Sequence, residues 1–227
     1  MSQWIDLSGL LFNGMWSYNT LGSLPRPQAE YRVDREFGMA EVGFESFRYV
    51  LSSLSGTYLE TAGHLLEGAP ALSDFSLTDF IRPAVVCHVP RKGARELIRR
   101  AELEAYCPVV CQGDALLIDC GWASQWRSPT FVTDCPALHP DCGAWLLSQP
   151  FSILGVDIPC IQAPYPTPDG SRYEGNMLLP LFQKGMLLLA PLVNLDRVRG
   201  ERGELVALPM RAEGVSGAPC RAVFRED

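Results

Sequence analysis

A mixed α/β fold is what the sequence predicts. Apolar runs of strand length, such as Ala84-Val85-Val86-Cys87-His88-Val89 and Ala115-Leu116-Leu117-Ile118-Asp119-Cys120, recur along the chain. Stretches with charge placed at helical spacing separate them, above all Ala94 to Ala105. No composition break and no internal repeat divides the 227 residues, so a single α/β domain over 1–227 is the economical expectation.

In chain order, Trp4-Ile5-Asp6-Leu7-Ser8 reads as a short strand that leads into a turn at Asn13-Gly14. Residues 19–30 hold Gly22, Pro25 and Pro27 and read as loop, whereas 32–39 is compatible with more than one state. Glu45 to Leu54 alternates apolar and polar positions, the pattern of a strand running into Ser55-Gly56-Thr57-Tyr58. Ser73-Asp74-Phe75-Ser76 reads as the start of a short helix with Ser or Asp as its cap. The apolar run from Ala84 ends at Pro90 as a buried strand, and Ala94 to Ala105 carries Leu97, Ile98 and Leu103 among charges as a surface helix. A second buried strand follows Gly113-Asp114. Residues 124–140, with three prolines, read as a loop long enough to serve function or to form a lid. Asp141 to Gln149 suits a helix and Ser152 to Asp157 a strand, with loop again over 162–173. A helix over Met177 to Gln183 ends at Gly185, although Pro180 lies within it. Met186 to Leu189, Leu205 to Met210 and Cys220 to Phe224 complete the strands.

Composition narrows the function classes. A hydrophobic share of 47 % with 20 % charged residues is ordinary for a protein with a sizeable core. The net charge of −7 argues against nucleic acid. The basic residues Arg91, Lys92, Arg95, Arg99 and Arg100 are interleaved with Glu96, Glu102 and Glu104, which describes a solvated face. Met1-Ser2-Gln3-Trp4 opens no signal peptide, and the apolar runs at Met177–Phe182 and Met186–Leu189 are too short to span a bilayer. A soluble, cytoplasmic protein with reduced thiols, most of its eight Cys buried, is the expectation.

The chemistry concentrates in Ser55 to His64. Only three His occur in the chain, and His64 follows Glu60 by four residues in a glycine-punctuated stretch. A carboxylate beside an imidazole raises its pKa and fixes its tautomer, as a general acid or base requires. Tyr58 adds a phenolic hydroxyl. The spacing is equally compatible with a His hydrogen-bonded for stability. Metal chemistry finds no Cys-x-x-Cys and no His-x-x-x-His, and Cys107-x-x-x-Cys111 lacks a second pair. No Gly-x-Ser-x-Gly nucleophile and no phosphate loop occur.

Laid end to end, several segments resemble the cyclase superfamily that includes bacterial kynurenine formamidases and isatin hydrolases. They are Ile5-Asp6-Leu7-Ser8, Arg82-Pro83-Ala84-Val85-Val86, Gly113 to Ile118 with Gly121-Trp122, Gly155-Val156-Asp157-Ile158-Pro159, Asn194-Leu195-Asp196, Ala207-Leu208-Pro209 and Gly214 to Arg221. The superfamily's signature is H-x-G-T-H-x-D-x-P-x-H, whose first two His and Asp bind metal and whose last His is catalytic. Gly56, Thr57 and His64 match it, while Leu54 and Tyr58 stand at the first two His, Glu60 at the Asp and Ala62 at the Pro. The remaining family ligands, a His and a Glu, fall on Leu178 and Ala190, with Asn176 or Glu174 a short shift away.

The resemblance implies a swivelling β/β/α fold and a homodimer or higher homo-oligomer. It also implies that the metal ligands are largely replaced, so the expectation is no metal and no cofactor. His64, Glu60 and Tyr58 are then the catalytic candidates. Leu54, Leu178 and Ala190, with Trp16 and Tyr18, are expected to line a pocket for a small apolar or aromatic substrate, and Trp122 or Trp126 could add to its walls. Proton-transfer chemistry (cyclisation, dehydration or isomerisation) fits such a site better than hydrolysis. Two alternatives remain: a metal-dependent arylformamidase-like hydrolase using Glu60, His64 and Glu174 or His139, and a non-catalytic binding or scaffold protein.

Overall fold

A computed structural model describes residues 4–226 of the chain. The expectation drawn from the first three residues lies outside these. In chain order the strands and helices are β1 (Trp4–Asp6), β2 (Arg32–Phe37), α1 (Met39–Val42), β3 (Ser46–Val50), β4 (Tyr58–Glu60), β5 (Ile81–His88), β6 (Leu97–Ile98), α2 (Arg100–Tyr106), β7 (Ala115–Asp119), β8 (Ala137–Leu138), α3 (Cys142–Ser148), β9 (Ile153–Val156), α4 (Leu178–Gln183), β10 (Leu187–Ala190), β11 (Arg202–Pro209) and β12 (Gly217–Glu226).

The main sheet runs β12-β11-β5-β7-β9-β10-β4 and closes on itself, because β4 pairs with β10 and with β12. β1 joins β12 outside this seven-stranded ring. Strands β5, β7, β9 and β10 are mutually parallel, and β4, β11 and β12 pair antiparallel. One core draws on every ring strand, with Leu59, Ala84, Val86, Leu117, Ile153, Leu189, Leu205, Ala207 and Phe224, and therefore fills the ring. The other takes the opposite parity of β5, β7, β9 and β10, including Val85, Leu116, Leu154, Leu188 and Ala190, and covers that outer face with α2, α3, α4 and the 11–33 segment. Strands buried on both faces read as continuous apolar runs, which is why β5 and β7 are visible in the sequence.

Several expectations change. The helix expected over 94–105 begins only at Arg100; Leu97 and Ile98 are buried in β6, paired parallel with β8. The backbone N–H of Arg99 donates to the Glu102 carboxylate at 2.8 Å, which sets that start. The 124–140 stretch is not a lid, since Phe131, Val132, Cys135 and Leu138 are fully buried in the outer core and Ala137 is buried in β8. Around Ser73, two 3-10 turns replace one helix, and Asp74 and Asp79 accept from Ala71 N and Ser76 N rather than acting as N-caps. The strand expected over 45–54 ends at Val50 in a separate hairpin with β2, and Tyr58–Glu60 is a strand of its own. Pro180 is harmless in α4, because it occupies the first turn, where its missing N–H has no helical acceptor to lose.

Candidate active site

β4 positions the site. Its Leu59 points into the ring, so Tyr58 and Glu60 point to the outer face. There Tyr58 lies opposite Ala190 and Glu60 opposite Leu188 across the β10 pairing. On the other side Glu60 faces Gly217, where a Cβ would come within 3.2 Å of the Glu60 Cγ and 3.5 Å of Leu54 Cδ2. Gly217 therefore keeps the space that Glu60 and Leu54 fill.

The entry to β4 is fixed by Gly56 and Thr57. Gly56 has φ +68° and a Cβ there would collide with Leu11 at 2.3 Å. Thr57 Oγ1 donates to the Pro191 carbonyl at 2.7 Å and accepts from Gly9 N at 3.1 Å. Beyond the strand, Thr61 Oγ1 caps a 3-10 turn over Ala62–His64 by accepting from Gly63 N. This turn swings the imidazole back over β4, and α4, with Leu178 in its first turn, packs against it.

His64 Nδ1 approaches Glu60 Oε1 to 3.1 Å. The His64 side chain is 38 % exposed and forms a rim; that of Glu60 is 3 % exposed and lies beneath it. The two atoms are poorly aligned, and the buried Oε1 has no hydrogen-bond donor. Burial pushes the Glu60 carboxyl up to about 8 and lowers the imidazole. The expected rise of the His64 pKa is thereby reversed. A carboxyl kept neutral by its apolar surroundings cannot stabilise an imidazolium.

Tyr58 is buried, and its hydroxyl lies 2.9 Å from that of Tyr18, whose O–H also reaches the Pro159 carbonyl at 2.9 Å. Burial, with Glu60 and Cys160 nearby, raises the Tyr58 pKa far above its ordinary value. Trp16 stands edge-on to Tyr18, with centroids 6.0 Å apart, and its buried Nε1 has no acceptor. Together Trp16, Tyr18, Leu54 and Ser55 line a narrow crevice. Trp126 and Trp122 are not walls of it. They belong to the outer core, where their ring N–H groups donate to Leu10 O and Phe131 O.

The structure thus brings Tyr58, Glu60, His64, Tyr18, Leu54, Leu178 and Ala190 to one face. The Tyr18–Tyr58–Pro159 chain and the cradle at Gly217 were not anticipated. A turn motif beside Glu60 in sequence carries no sign of a strand 157 residues later.

A divalent metal at the superfamily's positions does not fit this donor set. Leu54, Leu178 and Ala190 offer no lone pair and Tyr58 is engaged with Tyr18, which leaves Glu60 as the one carboxyl among these positions. Among the described residues, no group of three or more His, Cys, Asp and Glu could hold a metal ion. His139 is instead paired with Asp141 at 2.9 Å and Asp169 at 3.3 Å, and Glu174 sits in a surface cleft beside Arg172 and Asn176.

The model of the family described as "Putative cyclase" matches residues 5–163. The kynurenine formamidase of Bacillus cereus is 27 % identical over 225 residues, with 99 % of this chain and 98 % of that protein covered. The kynurenine formamidase of Bacillus cytotoxicus is 25 % identical over 227 residues at the same coverage. Among solved structures, isatin hydrolase A from Ralstonia solanacearum superposes with a TM-score of 0.83 at 19 % identity, covering 100 % of this chain and 92 % of that one. A predicted metal-dependent hydrolase from Bacillus stearothermophilus gives 0.77 at 17 % identity, with 99 % and 98 % covered. The two structural likenesses carry the fold, and the family match carries descent: the chain belongs to the cyclase family.

Proposed function

We propose that this chain is a cyclase-family enzyme that works without a divalent metal, using Glu60 as general acid and His64 as general base on a small apolar or aromatic molecule. The observation that carries this reading is the placement of the pair, a Glu60 side chain 3 % exposed beneath the rim formed by His64, with Nδ1 and Oε1 3.1 Å apart. Burial holds a proton on Glu60 up to about pH 8 and keeps His64 unprotonated from below its ordinary value. Environments that push two neighbouring groups apart in this way assign one as acid and the other as base. His64 at the rim removes a proton from the substrate, and Glu60 returns one to the oxygen or nitrogen that develops charge. Such proton shuttling serves cyclisation, dehydration or isomerisation, none of which requires an activated water.

Elemental analysis of protein purified without chelator tests the metal reading, with less than about 0.1 equivalent of zinc, manganese or iron expected. A stoichiometric divalent ion that chelation removes with loss of activity would overturn it. For the acid–base pair, His64→Ala and Glu60→Gln are each expected to lower turnover by about 10²-fold or more.

The second reading keeps the relatives' chemistry. Full-length similarity to kynurenine formamidases makes hydrolysis of an amide the natural competitor. Isatin and formylated kynurenine are the trial substrates, and metal-stimulated turnover of either would favour it. We also propose that the chain works as a homo-oligomer. The β2–β3 hairpin exposes Phe37, Phe47 and Tyr49, with Phe44 in the connection between its strands, more apolar surface than an isolated ribbon in water ordinarily leaves bare.

A further inference from the structure

The hydroxyls of Tyr18 and Tyr58 form a chain whose direction is determined by its far end. Pro159 ends it with a carbonyl, which only accepts. Tyr18 has one phenolic proton, and the 2.9 Å contact with Pro159 O uses it. The 2.9 Å contact between the two hydroxyls must then use the proton of Tyr58. In the opposite order Tyr18 would give its proton to Tyr58 and leave two oxygens 2.9 Å apart with nothing between them. The order is therefore Tyr58 to Tyr18 to Pro159.

The consequence falls on the face shared with Glu60 and His64. Tyr58 is 4 % exposed, and no other hydrogen bond of its hydroxyl occurs among the described residues. Its proton is committed to Tyr18, so its remaining lone pairs have no donor. Next to it on the same strand face, Glu60 is 2 % exposed and its Oε1 has no hydrogen-bond partner. A buried phenolic oxygen short of a donor, beside an unpartnered carboxyl oxygen on one face, asks for a donor from outside. Leu54 and Ala190, on the same face, leave the surroundings of these oxygens apolar.

We propose that Tyr58 presents an acceptor, not a proton, to the active site, that Tyr18 is the positioning residue which enforces this, and that the site takes an aromatic or apolar ligand bearing an N–H or O–H donor. This rests on the reading of the Tyr58–Glu60–His64 face as the ligand site. Tyr18 arrives from the N-terminal segment and Pro159 from the exit of β9. The polarity of the site is thus set by parts of the chain that never reach the reacting atoms.

Indole and benzofuran test the proposal, since they share a shape and differ in having N–H or O in the ring. The wild-type protein, titrated by calorimetry, is expected to bind indole about tenfold more tightly than benzofuran. In Tyr18→Phe the Tyr58 proton loses its acceptor and can turn toward the ligand, so the ratio is expected to fall to about one. A merely structural loss would weaken both probes equally and leave the ratio unchanged. Tyr58→Phe is likewise expected to remove the preference. Equal affinities in the wild type, no binding of either probe, or a preference that survives both substitutions would overturn the assignment. Neutron diffraction from wild-type crystals grown in D2O reads the order without any variant. A deuteron on Tyr58 pointing to Tyr18 supports it, and one pointing away from Tyr18 overturns it. These outcomes are independent of whether His64→Ala abolishes turnover, so the acid–base reading and the polarity of Tyr58 fail separately.

Discussion

At the scale of single residues, Glu60 is a carboxyl whose ionisation the fold strongly resists. Its carboxyl titrates near 8 in the folded chain and near 4.5 when exposed, so the folded state keeps a proton that the unfolded state releases. Stability from this group is complete below pH 4.5, falls as pH rises through the window to about 8, and is flat above it. At about 1.4 kcal/mol per pH unit, the upper bound of the loss is about 5 kcal/mol. Glu60→Gln keeps the shape and removes the titration. Its stability relative to wild type is expected to improve steadily from pH 5 to 8.5 in urea midpoints, whereas parallel curves would mean that Glu60 is not buried as a neutral acid. His64, whose pKa is lowered, contributes with the opposite sign, but it is present in both proteins. Of this chemistry, the sequence makes visible that Leu54, Leu178 and Ala190 bring apolar side chains to the pocket beside Glu60. The fall of His64 is hidden, because it depends on how far the fold buries the imidazole, and so is the Tyr18–Tyr58 contact between residues 40 apart.

At the scale of elements, legibility follows burial on two faces. The centres of β5 and β7 are sandwiched between the ring's interior and the outer core, so Ala84–Cys87 and Ala115–Ile118 are apolar at every position and the run is plain. The 124–140 segment misleads for the opposite reason: three prolines and scattered polar residues read as loop, yet its apolar residues all turn inward. Phe131 shows the cost of that misreading. It is fully buried and sits within ring contact of Trp16 (4.9 Å), Trp126 (5.5 Å) and Trp122 (6.3 Å). Phe131→Ala opens a cavity among three indoles and is expected to destabilise the protein by about 3–5 kcal/mol in denaturant titration. A lid residue would cost less than about 1 kcal/mol. The loss should also reach the site, since Trp16 leans on Phe131 from one side and on Tyr18 from the other.

At the scale of the whole molecule, the ring explains how the candidate active-site face is held. β4 is held by β10 on one edge and β12 on the other, and Thr57 ties its start to Pro191 and Gly9. None of those bonds passes through a metal-ligand side chain, so the scaffold tolerates Leu54, Leu178 and Ala190. The hairpin is the part of the molecule that the ring does not support. β2 and β3 pair only with each other, and Phe47 and Tyr49 share one face of β3, 47 % and 61 % exposed. A two-stranded ribbon with that much aromatic surface gains stability by docking, and a second copy of the chain always carries the same ribbon. Sedimentation at tens of micromolar is expected to give at least twice the 25.1 kDa of one chain. The double substitution Phe47→Ser with Tyr49→Ser removes apolar area without touching the ring, and it is expected to shift the species to 25.1 kDa with the far-ultraviolet circular dichroism retained. A wild-type protein that sediments as a single chain would leave the hairpin without the partner assigned to it. An oligomer indifferent to the double substitution would place the interface on another face.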